Sequence, residues 1–164
     1  MSLFAPPLLE KAGRVLTRAQ ERSLTICTAE SCTGGLVAGC LTEIAGSSAV
    51  IDRAFITYSN RAKEEVLGVV ANLIAAHGAV SEEVARAMAE GALRRSGAAL
   101  AVSITGIAGP GGGSLEKPVG LVHFALAHAN GTLHHAQRFG DIGRTEVRLR
   151  SVETSLDMLL DILF

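Results

Sequence analysis

Several classes of protein are excluded by what this sequence lacks. Its 164 residues include no tryptophan, a single tyrosine and only three cysteines. The cysteines, Cys27, Cys32 and Cys40, are odd in number and form no Cys-x-x-Cys pair, so we predict neither a disulfide framework nor a zinc site. The net charge is only −1, from 15 basic and 16 acidic residues, and this balance argues against extended contact with nucleic acid.

No segment has the composition of a targeting or membrane-spanning element. The N-terminal sequence MSLFAPPLLEKAGRVL lacks a basic stretch followed by an apolar core, so we expect no signal peptide. Residues 96–115 and 118–137 carry no formal charge, but glycines interrupt the first and histidines the second, and neither suits a bilayer core. We therefore expect a soluble, cytoplasmic protein with no membrane partner.

The composition is that of a folded chain. Apolar residues make up 48% of the sequence and charged residues 19%, which fits neither disorder nor a highly charged surface. A chain of this mass buries about two-thirds of its unfolded surface on folding, enough to fold without disulfides or metals. We predict a single domain over residues 1–164.

Hydrophobic periodicity predicts alternating helices and strands. The predicted helices are 7–22, 33–45, 60–77 (broken at Gly68), 81–95 and 144–163, and the predicted strands are 24–28, 50–58, 99–105, 119–127 and 132–139. The last two strands form a hairpin across Asn130-Gly131. This order predicts a three-layer α/β/α sandwich with a mixed, mostly parallel sheet that ends in the antiparallel hairpin.

Residues that could bind a ligand or take part in catalysis follow three of these strands, at the edge where open α/β sheets bind ligands. The first segment is Thr28-Ala-Glu-Ser-Cys-Thr-Gly-Gly35. Its Ser31 is either a helix cap or a nucleophile whose neighbouring amides face a developing oxyanion. Cys32 competes for the role of nucleophile, but no histidine lies nearby in sequence to activate it, so a buried, inert thiol is favoured.

The second segment, Thr57-Tyr-Ser-Asn-Arg-Ala-Lys63, offers Tyr58 and Lys63. Tyr58 is either a packing residue or a catalytic one. A lysine at a helix start opposes the helix dipole, and burial there lowers its pKa and provides a neutral amine as a base. Because no histidine lies in these segments, a Ser–Lys pair is favoured over a Ser–His–Asp arrangement.

The third segment is the glycine-rich loop 106–114, whose backbone amides can approach an anion closely. It matches neither a Walker A nor a GxGxxG motif, so the signal is weak when taken alone. The five histidines show no metal-ligand spacing, and we predict no metal site.

Five segments together resemble the CinA C-terminal domain family. They are Thr28–Gly35, Tyr58–Lys63, Leu67–Val69, His77–Ser81 and Thr105–Gly113. Bacterial members of the family are nicotinamide-nucleotide amidases, which hydrolyse nicotinamide mononucleotide to nicotinate mononucleotide and ammonia. The resemblance implies this activity without a cofactor, in a stand-alone domain that lacks the N-terminal domain of larger members. A non-catalytic nucleotide-binding module and a competence-associated protein are the alternatives.

The resemblance also implies roles for single residues. Ser31 stands at the nucleophile position, Lys63 at the position of its base, and Tyr58 at that of a group that relays protons or orients the lysine. The implied substrate-binding residues are Glu30, Gly34, Thr105, Gly106, Gly109, Arg144 and Arg148. Glu30 has a second, favoured interpretation as a structural acceptor that anchors its turn, the alternative being a partner of the ribose hydroxyls.

The two arginines are candidates for the substrate phosphate, four residues apart on one helix face. The sequence Gly140-Asp141-Ile-Gly-Arg144 has two more residues before its arginine than the family's ending, so either Arg144 or Arg148 is the candidate. The implied partner is a small nucleotide and not nucleic acid, and we expect a homodimer.

Overall fold

The computed structural model describes residues 1–164 and contains one five-stranded sheet. The strands are β1 (Ile26–Glu30), β2 (Ile51–Ile56), β3 (Leu100–Gly106), β4 (Leu121–His128) and β5 (Gly131–Arg138). Their order in the sheet is β2-β1-β3-β4-β5. Strand β1 pairs in parallel with β2 and β3, whereas β4 is antiparallel to both β3 and β5. The predicted mixed sheet with a terminal hairpin is confirmed.

Helices cover both faces of the sheet. They are α1 (Pro6–Glu21), α2 (Leu36–Thr42), α3 (Asn60–Leu67), α4 (Ala71–His77), α5 (Glu82–Ser96) and α6 (Arg144–Leu163), with a short 3-10 helix at Ser47–Ala49. The first, second and last of these pack on one face and share a core of 25 buried residues with it. The other three lie on the opposite face, over a smaller core of 14 buried residues. The predicted three-layer sandwich is therefore confirmed.

Glycines set several element boundaries as predicted. Gly68 adopts a left-handed conformation and ends α3, which confirms the predicted break. Gly97 ends α5 in the same way, and the Ser81 hydroxyl caps its start by accepting a hydrogen bond from the Val84 N–H. None of the helices combines the length and apolar character that crossing a bilayer requires.

Most strand and helix ends differ from the predictions by one to three residues, and three of these differences have a structural consequence or cause. Strand β1 runs on to Glu30, which is therefore its last residue and not part of the following turn. Helix α2 begins three residues later than predicted because Gly34 and Gly35 both have positive φ angles, 57° and 100°. The hairpin pairs His128 with Gly131, so its loop lies one residue earlier than predicted.

Close packing fixes the position of α3 against α5. Gly91 of α5 lies so near the end of α3 that an added Cβ would stand 2.1 Å from the carbonyl oxygen of Leu67. Only a glycine allows this approach. Helix α3 carries Lys63, so this contact helps to set the depth at which the lysine sits below the sheet edge.

We expect Gly91→Ala to lower the free energy of unfolding by about 1–3 kcal/mol, because the methyl group forces the two helices apart. Gly13→Ala in α1 is the matched control, since a Cβ there meets nothing within 4 Å. That control should gain up to about 1 kcal/mol from helix propensity. Urea unfolding measures both, and equal gains in the two variants would contradict the close contact.

Candidate active site

The three predicted segments meet around one cavity. Parallel strands β1, β2 and β3 bring their carboxyl ends to the same edge of the sheet, the usual place for a ligand in this architecture. The cavity there has a volume of about 280 Å³. Its walls include Ser31, Tyr58, Lys63, Thr105, Arg144 and the loop that follows β3.

Ser31 and Lys63 are in direct contact in this cavity. The Lys63 Nζ lies 3.0 Å from the Ser31 Oγ and also contacts the carbonyl oxygens of Thr57 at 2.8 Å and Tyr58 at 3.4 Å. All three partners are neutral oxygens. The lysine is 1% exposed, and burial lowers its pKa to about 8.

The hydrogen bonds available to Lys63 determine which of the two groups, Lys63 or Ser31, accepts the proton between them. A neutral amine has two hydrogens and one lone pair, and the carbonyls of Thr57 and Tyr58 accept hydrogens only. When both hydrogens are given to those carbonyls, the lone pair faces the Ser31 hydroxyl. The arrangement is therefore that of a base aimed at a serine proton.

The turn after Ser31 leaves two backbone donors free. The Ser31 N–H donates to the carbonyl of Ile104, and Gly34 N–H donates to the Ser31 carbonyl. The N–H groups of Cys32 and Thr33 donate to no acceptor on another residue, although both residues are buried. Because buried amides are normally paired, two consecutive unpaired N–H groups beside a serine are suited to receive an oxyanion.

Cys32 lines the cavity but has the properties of an inert thiol. Burial raises its pKa to about 12, against the opposing charges of Arg148 and Lys63. The thiol therefore stays protonated at neutral pH and is a poor nucleophile. Ser31 is the better candidate, since it alone of the two contacts the lysine.

The position of Glu30 fits the interpretation as a structural acceptor that anchors its turn, and not that of a partner of the ribose hydroxyls. Its carboxylate is fully buried and accepts hydrogen bonds from the hydroxyls of Thr28 and Thr33. It also accepts from the N–H groups of Gly35, Val37 and Ala38, at 3.2, 3.0 and 3.0 Å. Glu30 thus caps α2 from the preceding strand, and no carboxylate oxygen is left to bind ribose hydroxyls in the cavity.

Tyr58 and Arg144 form a pair at the rim. The Arg144 guanidinium donates to the Tyr58 hydroxyl and to the Gly109 carbonyl, both at 2.9 Å. Tyr58 is 60% exposed, and only its backbone carbonyl contacts Lys63. The expected proton relay through the Tyr58 hydroxyl is therefore not what this geometry provides. The residue orients the lysine through its main chain instead.

Arg148 and Gly34 lie on the far side of the serine turn. Arg148 donates from Nε to the Cys32 carbonyl at 3.0 Å and from Nη2 to the Thr33 carbonyl at 3.1 Å. A Cβ on Gly34 would lie 3.3 Å from the same Nη2. Neither residue lines the cavity, so of the two arginines expected near the phosphate, only Arg144 is placed to meet a ligand.

The remaining expected residues do line the cavity. Thr105, Gly106 and Gly109 are all in its wall. The Thr105 hydroxyl donates to the Ala79 carbonyl at 2.8 Å, so it ties the loop before α5 to the sheet edge. In the glycine loop, the N–H groups of 108, 109, 111 and 112 have no protein acceptor, which leaves them free for an anion.

Sequence reasoning missed several contributors. Asn60, Ala79 and Val80 line the cavity, and the Thr57 carbonyl holds the lysine. Asn60 had a usable signal, since it lies between Tyr58 and Lys63. A backbone carbonyl has none, because any residue supplies it. No three His, Cys, Asp or Glu side chains are grouped to hold a metal ion.

Sequence comparisons agree over almost the whole chain. A family model described as the CinA C-terminal domain matches residues 9–163. A CinA-like protein of Anaeromyxobacter dehalogenans is 54% identical over 146 residues, covering 88% of this chain and 35% of that protein. A putative competence-damage inducible protein of Symbiobacterium thermophilum is 60% identical over 120 residues, covering 73% and 28%. The chain thus spans about a third of the length of these curated relatives.

Solved structures share the fold. The competence/damage inducible protein CihA from Agrobacterium tumefaciens superimposes with a TM-score of 0.97, at 58% identity and 99% coverage of both chains. The CinA superfamily protein KP700603 from Klebsiella pneumoniae gives a TM-score of 0.91 at 35% identity, covering 95% of this chain and 97% of the other.

Proposed function

This chain belongs to the CinA C-terminal domain family, and on that premise we propose that it is a serine amidohydrolase that converts nicotinamide mononucleotide to nicotinate mononucleotide and ammonia. The observation that carries the proposal is the 3.0 Å contact between the Ser31 hydroxyl and the buried Lys63 amine. A module that only binds a nucleotide has no need of such a pair. Amide hydrolysis needs it as nucleophile and base.

The first half of the reaction acylates the serine. The neutral Lys63 amine takes the Ser31 proton while Oγ attacks the carboxamide carbon, and the carbonyl oxygen becomes an oxyanion near the free amides of Cys32 and Thr33. The tetrahedral intermediate collapses as the C–N bond breaks. The Lys63 ammonium returns its proton to the departing nitrogen, and ammonia leaves.

The second half releases the acid. A water molecule attacks the ester carbon and gives a proton to the Lys63 amine. The C–O bond to Ser31 then breaks, and the lysine returns the proton to the serine oxygen. The carboxylic acid leaves and loses its remaining proton to solvent as nicotinate mononucleotide, and both residues are restored. Every proton exchanged among the serine, the leaving nitrogen and the attacking water passes through the Lys63 nitrogen, which explains why the lysine needs a pKa near neutrality.

Groups at the rim of the cavity could bind the phosphate of a nucleotide substrate. Arg144 lies at the mouth of the cavity, and the free amides of the glycine loop stand beside it. A guanidinium together with backbone N–H groups is a common phosphate site. The carboxamide then lies at Ser31 in the interior, the phosphate lies at the rim, and the ribose spans the distance between them.

We expect Ser31→Ala to abolish ammonia release from nicotinamide mononucleotide, because no other nucleophile contacts the lysine. Cys32→Ala is the matched control, one residue away in the same cavity wall, and should keep substantial activity. An ammonia assay on purified, folded protein measures both. Full activity in Ser31→Ala would reject the serine mechanism, and an inactive wild-type protein that binds the nucleotide would favour the binding module.

The rate of hydrolysis should rise with pH through a midpoint near 8. Burial lowers the pKa of Lys63 to about 8, so the neutral amine that accepts the serine proton becomes the main form above that pH. At neutral pH a pKa of 8 leaves roughly a tenth of the lysines neutral, compared with about one in 2,500 for a free lysine.

Substitution of the lysine gives the control for this profile. Lys63→Arg keeps the positive charge but cannot deprotonate, so its rate at neutral pH should be nearly as low as that of Lys63→Ala. A Lys63→Arg variant that retains most of the wild-type rate would exclude the lysine as the base. The measurement is initial rate against pH for the three proteins.

Arg144→Ala should raise KM for nicotinamide mononucleotide about tenfold or more, the equivalent of one charged hydrogen-bonding contact. It should affect KM for the phosphate-free nicotinamide riboside little. Arg61→Ala is the control, since that arginine is exposed and pairs with Glu65. Steady-state kinetics on both substrates measure the split, and equal effects on the two would reject the phosphate assignment.

A further inference from the structure

Arg148 is a charged side chain that the proposed function leaves without a role. It is half-buried at the start of α6, and its hydrogen-bond partners are two consecutive backbone carbonyls, those of Cys32 and Thr33. The planar guanidinium of an arginine has several N–H donors in fixed positions, so it suits such a double contact better than the single ammonium of a lysine. The carbonyls it holds belong to the turn that follows the proposed nucleophile.

Holding a carbonyl also sets the direction of the next N–H. In a planar trans peptide the C=O and the following N–H point to opposite sides. The bond from Arg148 to the Cys32 carbonyl therefore directs the Thr33 N–H away from the guanidinium. The bond to the Thr33 carbonyl directs the Gly34 N–H away from Arg148, and that N–H donates to the Ser31 carbonyl at 3.1 Å.

The same reasoning reaches the first amide of the turn. Because the Gly34 N–H holds the Ser31 carbonyl, the Cys32 N–H is fixed on the opposite side of its peptide. Three consecutive carbonyls are thus held: that of Ser31 by Gly34, that of Cys32 by Arg148, and that of Thr33 by Arg148 together with the Leu36 N–H. The N–H groups left without an acceptor on another residue are those of Cys32 and Thr33, the two that the proposed mechanism uses.

We propose that Arg148 is a positioning residue for the oxyanion site, which acts through the Cys32 and Thr33 peptide groups and does not touch the substrate. The inference rests on the proposed serine mechanism and adds to it the group that aligns its amide donors. It replaces the expected role of Arg148 as a phosphate ligand. Glu30, at the end of β1, supports the same turn by accepting hydrogen bonds from the Thr33 hydroxyl and the Gly35 N–H.

The test compares Arg148→Met and Arg148→Lys with the wild-type protein. Loss of one oxyanion donor costs about a hundredfold to a thousandfold in kcat, so misalignment of the donors in Arg148→Met should cost about tenfold to a hundredfold. KM should stay within about twofold for both nicotinamide mononucleotide and nicotinamide riboside, since no ground-state contact is lost. Arg148→Lys should recover part of kcat, because an ammonium still donates to one of the carbonyls.

A tetrahedral probe separates alignment from general damage. Pyridine-3-boronic acid forms a tetrahedral adduct with a serine hydroxyl, and its affinity should fall in Arg148→Met in parallel with kcat. The affinity for nicotinate mononucleotide, the product, whose carboxylate carbon is trigonal and not tetrahedral, should stay unchanged. Because the boronate reports on Ser31 directly, this comparison can be made even if the wild-type protein releases no ammonia from nicotinamide mononucleotide, so failure of the proposed substrate and failure of the Arg148 proposal are distinguishable.

Arg150→Met is the matched control, two residues along the same helix, where the arginine is exposed and pairs with Glu146 and Glu153. It should leave kcat and boronate affinity unchanged. Urea unfolding gives the folded fraction to which every rate is referred, and Arg148→Lys serves if the methionine variant does not fold. An unchanged kcat in the folded variants, a KM rise confined to the phosphorylated substrate, or an equal loss of boronate and product affinity would each overturn the proposal.

Discussion

A buried lysine amine, held between a serine hydroxyl and two backbone carbonyls, is the interaction on which the rest of the site depends. No carboxylate neutralises Lys63, since its three partners are neutral oxygens, and burial therefore disfavours its charged form. The low pKa follows from the same burial that brings Nζ to the serine. A lysine with an acidic partner at this position would keep its proton and could not accept one from Ser31.

The fold supplies what this pair needs from three directions. Strand β1 carries Ser31 to the sheet edge, and the glycine contact between α5 and α3 sets the depth of Lys63. The turn after the serine is held by Glu30, at the end of β1, and by Arg148 of α6. A single short segment is thus supported by the sheet and by α6, while α3 brings the lysine from the opposite face, which fits a site that must align a nucleophile, a base and two amides.

The fold was predictable from the sequence where hydrophobic pattern or capping decided it. Helix α6 matches its predicted bounds because its apolar stripe is long and regular, and Gly68 and Gly97 end helices by their conformation. Helix α2 was predicted too long at both ends. The glycines at 34 and 35 adopt positive φ angles before its start, and the apolar residues Ile44 and Ala45 continue the helical pattern beyond its end at Thr42.

The sequence allowed us to predict which side chains lie at or near the candidate site, but not the role of each of them. Ser31 and Lys63 could be paired from sequence because few residue types supply that chemistry. The roles of Glu30 and Arg148 could not be separated from substrate binding, since a carboxylate or guanidinium can hold a ligand or the main chain, and only the location of its partners decides. For Tyr58 the functional atom is its carbonyl, which carries no sequence signal.

The pKa of Lys63 is the quantity that tests this account of the site most directly. The chain contains three lysines, Lys11, Lys63 and Lys117, so an NMR titration of protein labelled with nitrogen-15 at the lysine Nζ atoms yields few signals, and Lys63→Met assigns the one of interest. The geometry predicts that this signal titrates with a pKa of about 8. A Lys63 signal that titrates near 10.4, the ordinary value for lysine, would contradict a buried base beside Ser31.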